Sequence, residues 1–248
     1  MISKYHCIFF LLCFSAFNFA QSKDSYEPIS VMQNLVVNDF ESTYGSGWTF
    51  SWNLNSTPHR IFGSKIPQLF NVNDPIESEY AAREFISKNQ AIYSIPESDL
   101  DLWVNEKHGD MRYMIFNQVY YNIPVWNGRI DFRFKMNGDL VMTGNDAFPN
   151  LKVDTNPKID SNLSISYAKD NIGFDENLGD KVEGLPELYI WVENGVEPVY
   201  HLSWLVELFV HSTDPEDHVP VHRWKIFVDA HNGYILEKFD EVRMATLD

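Results

Sequence analysis

From residue 125 to 136 the chain alternates with a strict two-residue period. Ile130, Phe132, Phe134 and Met136 fall on one side, and Arg129, Asp131, Arg133 and Lys135 on the other. A helix would scatter the apolar set around its circumference, so the segment can bury it only as a strand in a sheet with one covered face. Asn137-Gly138 follows and predicts a tight type I′ hairpin, because both positions tolerate positive φ. Residues 139–147 return as the next strand. Upstream, Asp74 can cap a helix with Pro75 at its first position and Glu77 closing a capping box. Ala81, Ala82, Phe85 and Ile86 then repeat at helical spacing to about Tyr93. Strands at 100–104 and 111–121 complete a helix followed by an antiparallel meander, which predicts an α+β layer.

The order then recurs. Residues 151–159 read as a linker, and Asp160 caps a second helix to about Ile172 with Leu163, Tyr167 and Ala168 inward. Strands are expected at 187–192, 199–211, 221–229 and 234–239, the last entered through Asn232-Gly233. The units so defined are 74–150 and 151–240. Before them, residues 21–73 look polar and irregular apart from a strand where Trp48, Phe50 and Trp52 alternate, and 241–248 look like a tail.

Residues 1–20 have the form of a secretory signal, with Lys4 ahead of an apolar run and a cut expected between Ala20 and Gln21. That predicts a secreted, periplasmic or cell-surface protein, and no later segment is apolar enough to span a membrane. Both cysteines, Cys7 and Cys13, lie inside that segment. The mature chain would have neither disulfides nor thiolate chemistry, which favours a bacterial origin. A net charge of −16 would repel phosphate backbones and excludes nucleic acid as a partner.

No catalytic constellation, cofactor motif or metal-ligand set is found. His218 and His222 are four apart, but Val219, Pro220 and Val221 argue strand, which would separate them by ~13 Å. Asp214, Glu216 and Asp217 around Pro215 read as a solvated loop and not as a calcium site. Trp103, Trp126, Trp191, Trp204 and Trp224 fall about one per strand and are expected to be buried, whereas Trp48 and Trp52 are better placed for a partner surface. Exposed sheet edges are a second candidate surface. Gly128, Gly138, Gly144 and Gly233 are expected to serve turns and close approaches, and Pro124 a bulge or edge.

Gln118-x-x-Tyr121-Asn122-Ile123-Pro124-Val125-x-x-Gly128, Asn137-Gly138-Asp139 and Thr143-Gly144-Asn145 closely resemble the FTP motif, the fungalysin/thermolysin propeptide. Trp224-x-Ile226-x-Val228-Asp229-Ala230-x-x-Gly233-x-Ile235-Leu236 resembles the end of a PepSY domain, with Asn232 where that motif usually has Thr. FTP followed by PepSY is similar to the pro-region of secreted thermolysin-like zinc metalloproteases. The resemblance implies two consecutive cystatin-like units, each a helix packed on an antiparallel meander. It further implies a partner, a metallopeptidase catalytic domain in cis or in trans, which the pro-region helps to fold and holds inactive. The zinc motif H-E-x-x-H is absent from these residues, so the expectation is a non-enzymatic module needing no cofactor. The alternative is a free-standing secreted binding module, inhibiting a peptidase in trans or binding envelope or carbohydrate.

Overall fold

The structure, a computed structural model, describes residues 30–67, 70–214 and 216–242. The expected signal with its Ala20/Gln21 cut, Pro215 and the last six residues of the expected tail lie outside them. Four α-helices, two short 3-10 turns (Glu97–Asp99 and Glu176–Leu178) and ten strands are described. α1 (Val31–Tyr44), β1 (Thr49–Trp52) and β2 (Pro58–Ile66) come first, then α2 (Pro75–Lys88) and the single turn α3 (Gln90–Tyr93). β3 (Leu100–His108), β4 (Met111–Tyr120), β5 (Ile123–Lys135) and β6 (Leu140–Asn145) follow. α4 (Ser161–Ile172), β7 (Lys181–Glu193), β8 (Val199–His211), β9 (Val221–Asp229) and β10 (Ile235–Asp240) complete the chain.

The protein is α+β, with few helices on a large mixed sheet. In its first part the strands lie in the order β3-β4-β5-β6-β2-β1, all antiparallel. In the second, β7-β8-β9-β10 form an antiparallel meander. A parallel bridge, Val125 to Ile190, joins them through β5 and β7. Ile130, Phe132 and Phe134 are fully buried, packed with Phe85 of α2 and Phe116 of β4. On the second meander, Ala168 of α4 packs on Val206, Leu208, Ile226 and Val228.

Several local expectations need correction. Residues 31–44, read as irregular, form α1, capped by a reciprocal box between Ser30 and Gln33. Asp74 caps α2 by accepting from Ile76 N and Glu77 N, but Glu77 turns to Asn71 N at 2.8 Å and does not close the box. The hairpin after β5 is not type I′. Of Asn137 and Gly138 only the glycine has positive φ, at 90°. Gly138 N donates to Lys135 O, and Lys135 N to Asp139 O, each at 2.8 Å, making a three-residue loop with a left-handed glycine. On α4 the inward residues are Ser164 and Ala168, while Leu163 and Tyr167 are 43% and 37% exposed. Trp48, expected on a partner surface, packs edge-on against Phe40 of α1 at 5.3 Å, and Trp52 stacks on Phe50. Conversely Trp103, expected inside, is 63% exposed at a bulge of edge strand β3.

Candidate functional site

The motif residues are spread over both meanders, with Gln118, Pro124 and Gly128 at the strand that joins them. Gln118 is buried and replaces a missing ladder rung: its Nε2 donates to Phe148 O and its Oε1 accepts from Phe148 N, both at 2.8 Å. A Cβ on Gly128 would stand 2.8 Å from that Oε1, so the glycine makes room for the glutamine. Pro124 opposes Val119 beyond a bulge in β5, where residues 125–128 stand against Gln118 alone. Tyr121 lies in the intervening turn at φ 48°, 78% exposed.

The second motif segment behaves alike. Thr143 Oγ1 meets the buried Tyr93 hydroxyl at 2.7 Å, and Asn145 Nδ2 donates to Ile92 O at 2.8 Å, so both tie β6 to α3. Burial pushes the Tyr93 phenol far above its ordinary pKa. Between them, Gly144 faces outward under Asp131 and Arg60; a Cβ there would fall 2.6 Å from an Arg60 nitrogen and closer still to Asp131 Oδ1. In the last segment Asp229 Oδ1 accepts from His231 N and Asn232 N, fixing the turn into β10. Gly233 completes that turn at φ 81° beneath the Tyr167 ring.

Trp126, between Val125 and Asn127, reaches out of the first meander onto the second. Its ring meets Phe227 at 4.8 Å and Phe239 at 6.0 Å, with Trp191 against Phe227 at 4.5 Å. These rings occupy the face of β7–β10 opposite α4, and among the described residues no helix covers it. A concavity of about 330 Å³ there is lined by Trp126, Leu185, Tyr189 and Leu205 with charged neighbours. Arg223 pairs with Glu183 at 3.0 Å, which holds the guanidinium above its ordinary pKa. Burial would lower Lys225, but Glu241 at 2.6 Å and Glu207 at 3.6 Å outweigh it and leave its pKa raised. The start of the expected tail is therefore tied to this face through Glu241. Glu187, Glu193 and Glu237 stand exposed around it.

On the other side of the same motif, Asn127 and Arg129 border a cleft of about 350 Å³ between the meanders. Asp146 sits in its wall, with Oδ1 2.5 Å from His59 Nδ1 and Oδ2 3.2 Å from Arg60 and 3.6 Å from Arg129. Sequence reasoning missed this group, because β2, β5 and the end of β6 supply its members from positions up to 87 residues apart. The one legible signal was a row of basic residues on one face of β5 in an acidic chain.

His218 and His222 do not converge. His218 is exposed at the loop, whereas His222 is buried in β9 between Asp240 at 2.6 Å and Asp217 at 3.0 Å. Among the described residues no group of three or more His, Cys, Asp or Glu is placed to hold a metal ion, and no helix is long and apolar enough to cross a membrane.

No protein-family profile matches the chain. Neutral protease B of Bacillus subtilis (strain 168) is 27% identical to it over 131 residues, 52% of this chain. The chain spans only 23% of that relative's length. Among solved structures, the C-terminal domain of Bacillus megaterium YpeB superposes with a TM-score of 0.37 and 11% identity, covering 75% of this chain and 72% of its own. An uncharacterized protein from Eubacterium rectale gives the same TM-score and identity over 66% and 56%. Superpositions this loose assign no fold, and the likeness in sequence to neutral protease B is distant and partial.

Proposed function

We propose that the chain is a secreted, propeptide-like module that binds a thermolysin-like metallopeptidase domain non-covalently, assisting its folding and holding it inactive. The observation that carries this is the 131-residue likeness to neutral protease B. The FTP-like and PepSY-like motifs support it. In this reading α2 with β3–β6 and α4 with β7–β10 are the two cystatin-like units, and residues 1–20 direct export. The module is a binder and not a catalyst.

Its physical action is linkage. A ligand that binds only the folded peptidase stabilises it by mass action, and tethering raises the effective concentration. The uncovered aromatic face of the second meander, with Glu187, Glu193 and Glu237 at its margin, fits a partner surface that is apolar at the centre and basic at the rim.

Titrating the purified chain into a thermolysin-like protease is expected to slow peptide hydrolysis. Unchanged kinetics at high micromolar concentration would overturn the inhibitory role. The chain alone is expected to cleave nothing, with or without added zinc, and a chelator-sensitive activity in clean protein would show it to be an enzyme.

A further inference from the structure

The cleft between the meanders gathers basic side chains in an acidic protein. In a chain of net charge −16, it gathers Arg60, Arg129 and the His59 ring around one carboxylate, Asp146. Both oxygens of Asp146 are engaged by these neighbours. The Arg129 guanidinium, its side chain 47% exposed, lies 3.6 Å from Asp146 Oδ2 through Nε, and its two outer nitrogens donate no hydrogen bond among the described residues. The amides of Asn127 and Asn194 line the same cleft, opposite apolar surface from Leu54, Phe148 and Pro198.

We propose that this cleft binds the free C-terminal carboxylate of a peptide whose last residue is apolar. The outer nitrogens of Arg129 form a planar fork that matches a carboxylate with two parallel hydrogen bonds. Asn127 and Asn194 can serve the last peptide group, and Leu54, Phe148 and Pro198 receive the side chain. A carboxylate within a chain would need the peptide to leave the cleft on both sides. A cavity of about 350 Å³ is small for a ligand site, with room for about two residues and not for a folded surface. This site does not depend on the peptidase-binding role, and its test involves no peptidase.

Calorimetric titration of the full chain with three probes decides the matter: acetyl-Gly-Gly-Leu as free acid, the same peptide as C-terminal amide, and acetyl-Gly-Glu-Gly amide. The free acid is expected to bind, more weakly as salt is added, and both amides about tenfold or more weaker. Arg129→Gln is expected to lose about tenfold for the free acid with its thermal midpoint kept, since a charge-assisted fork is removed from an exposed side chain. Should that variant fail to fold, Asn194→Ala in the exposed β7–β8 loop is expected to weaken the free acid severalfold. Equal binding of acid and amide, equal binding of the glutamate peptide, no binding of the acid at millimolar concentration, or an unaltered affinity in the folded variants each overturns the assignment.

Discussion

Asp180 gathers three donors on one buried carboxylate. Its Oδ2 accepts from Asp175 N at 2.9 Å, while Oδ1 accepts from His211 N at 2.8 Å and lies 3.1 Å from His211 Nδ1. Burial raises its pKa, but these hydrogen bonds outweigh it and hold the group below the ordinary 3.8. A lowered folded-state pKa means that the stabilisation is complete above about 3.8 and is lost as pH falls through the lowered value. Asp180→Asn is therefore expected to melt below the parent at neutral pH, with the gap narrowing as pH falls below about 3.8. A gap that stays constant in melts below that pH would show that the carboxylate is not held low. At Gly144 the constraint is steric. Gly144→Ala must displace Asp131 or Arg60 and is expected to destabilise by about 2 kcal/mol in denaturant unfolding, against no change if the cradle is loose. That these glycines matter was legible from the motif. Turns and close approaches were both expected, but not which glycine serves which: Gly128 and Gly144 make room for neighbouring side chains, and Gly138 and Gly233 have positive φ.

Elements were legible where their own residues carry the pattern. β8 and β9 occupy the expected residues because long alternating runs bounded by turn residues leave no competing period. α1 was not legible, although Ser30 and Gln33 spell its cap. Its apolar residues Val31, Met32 and Leu35 point outward at 77%, 67% and 56% exposure, and only Phe40 is buried. Two aromatic anchors thus dock the helix: Phe40 packs on Trp48 and Phe50, and Tyr44 packs on Phe85 and accepts from Asn89 Nδ2 at 2.9 Å. Phe40→Ala is expected to cost roughly 3 to 5 kcal/mol and to release α1, seen as lost amide-exchange protection over residues 31–44. Retained protection would mean that the helix is held by something else. On α4 the spacing of apolar residues suggested Leu163, Tyr167 and Ala168 as the inner face, and of these only Ala168 is buried. Ser164 joins Ala168 against the sheet and lets the helix approach closely, while Tyr167 covers Gly233 from outside.

Across the whole molecule, the two meanders are joined by one parallel bridge, the Phe148–Tyr200 ring contact at 6.3 Å, the Tyr200 hydroxyl donating to Pro149 O at 3.4 Å and the Trp126 ring cluster. Trp126→Ala removes the largest side chain spanning the join. In calorimetry the single transition expected of the parent should then split in two, and a variant that still unfolds in one step would place the coupling elsewhere. The amino-acid sequence by itself determined the strand periods, two of the helix caps and the positions of the turns. Each of these is encoded within about ten neighbouring residues, where side-chain direction follows directly from backbone geometry. Only the tertiary structure decided that the meanders share β5, that α4 turns its small residues inward, and that His59, Arg60, Arg129 and Asp146 meet. Those outcomes depend on packing between segments far apart in the chain, and no local pattern records which distant surface will fit.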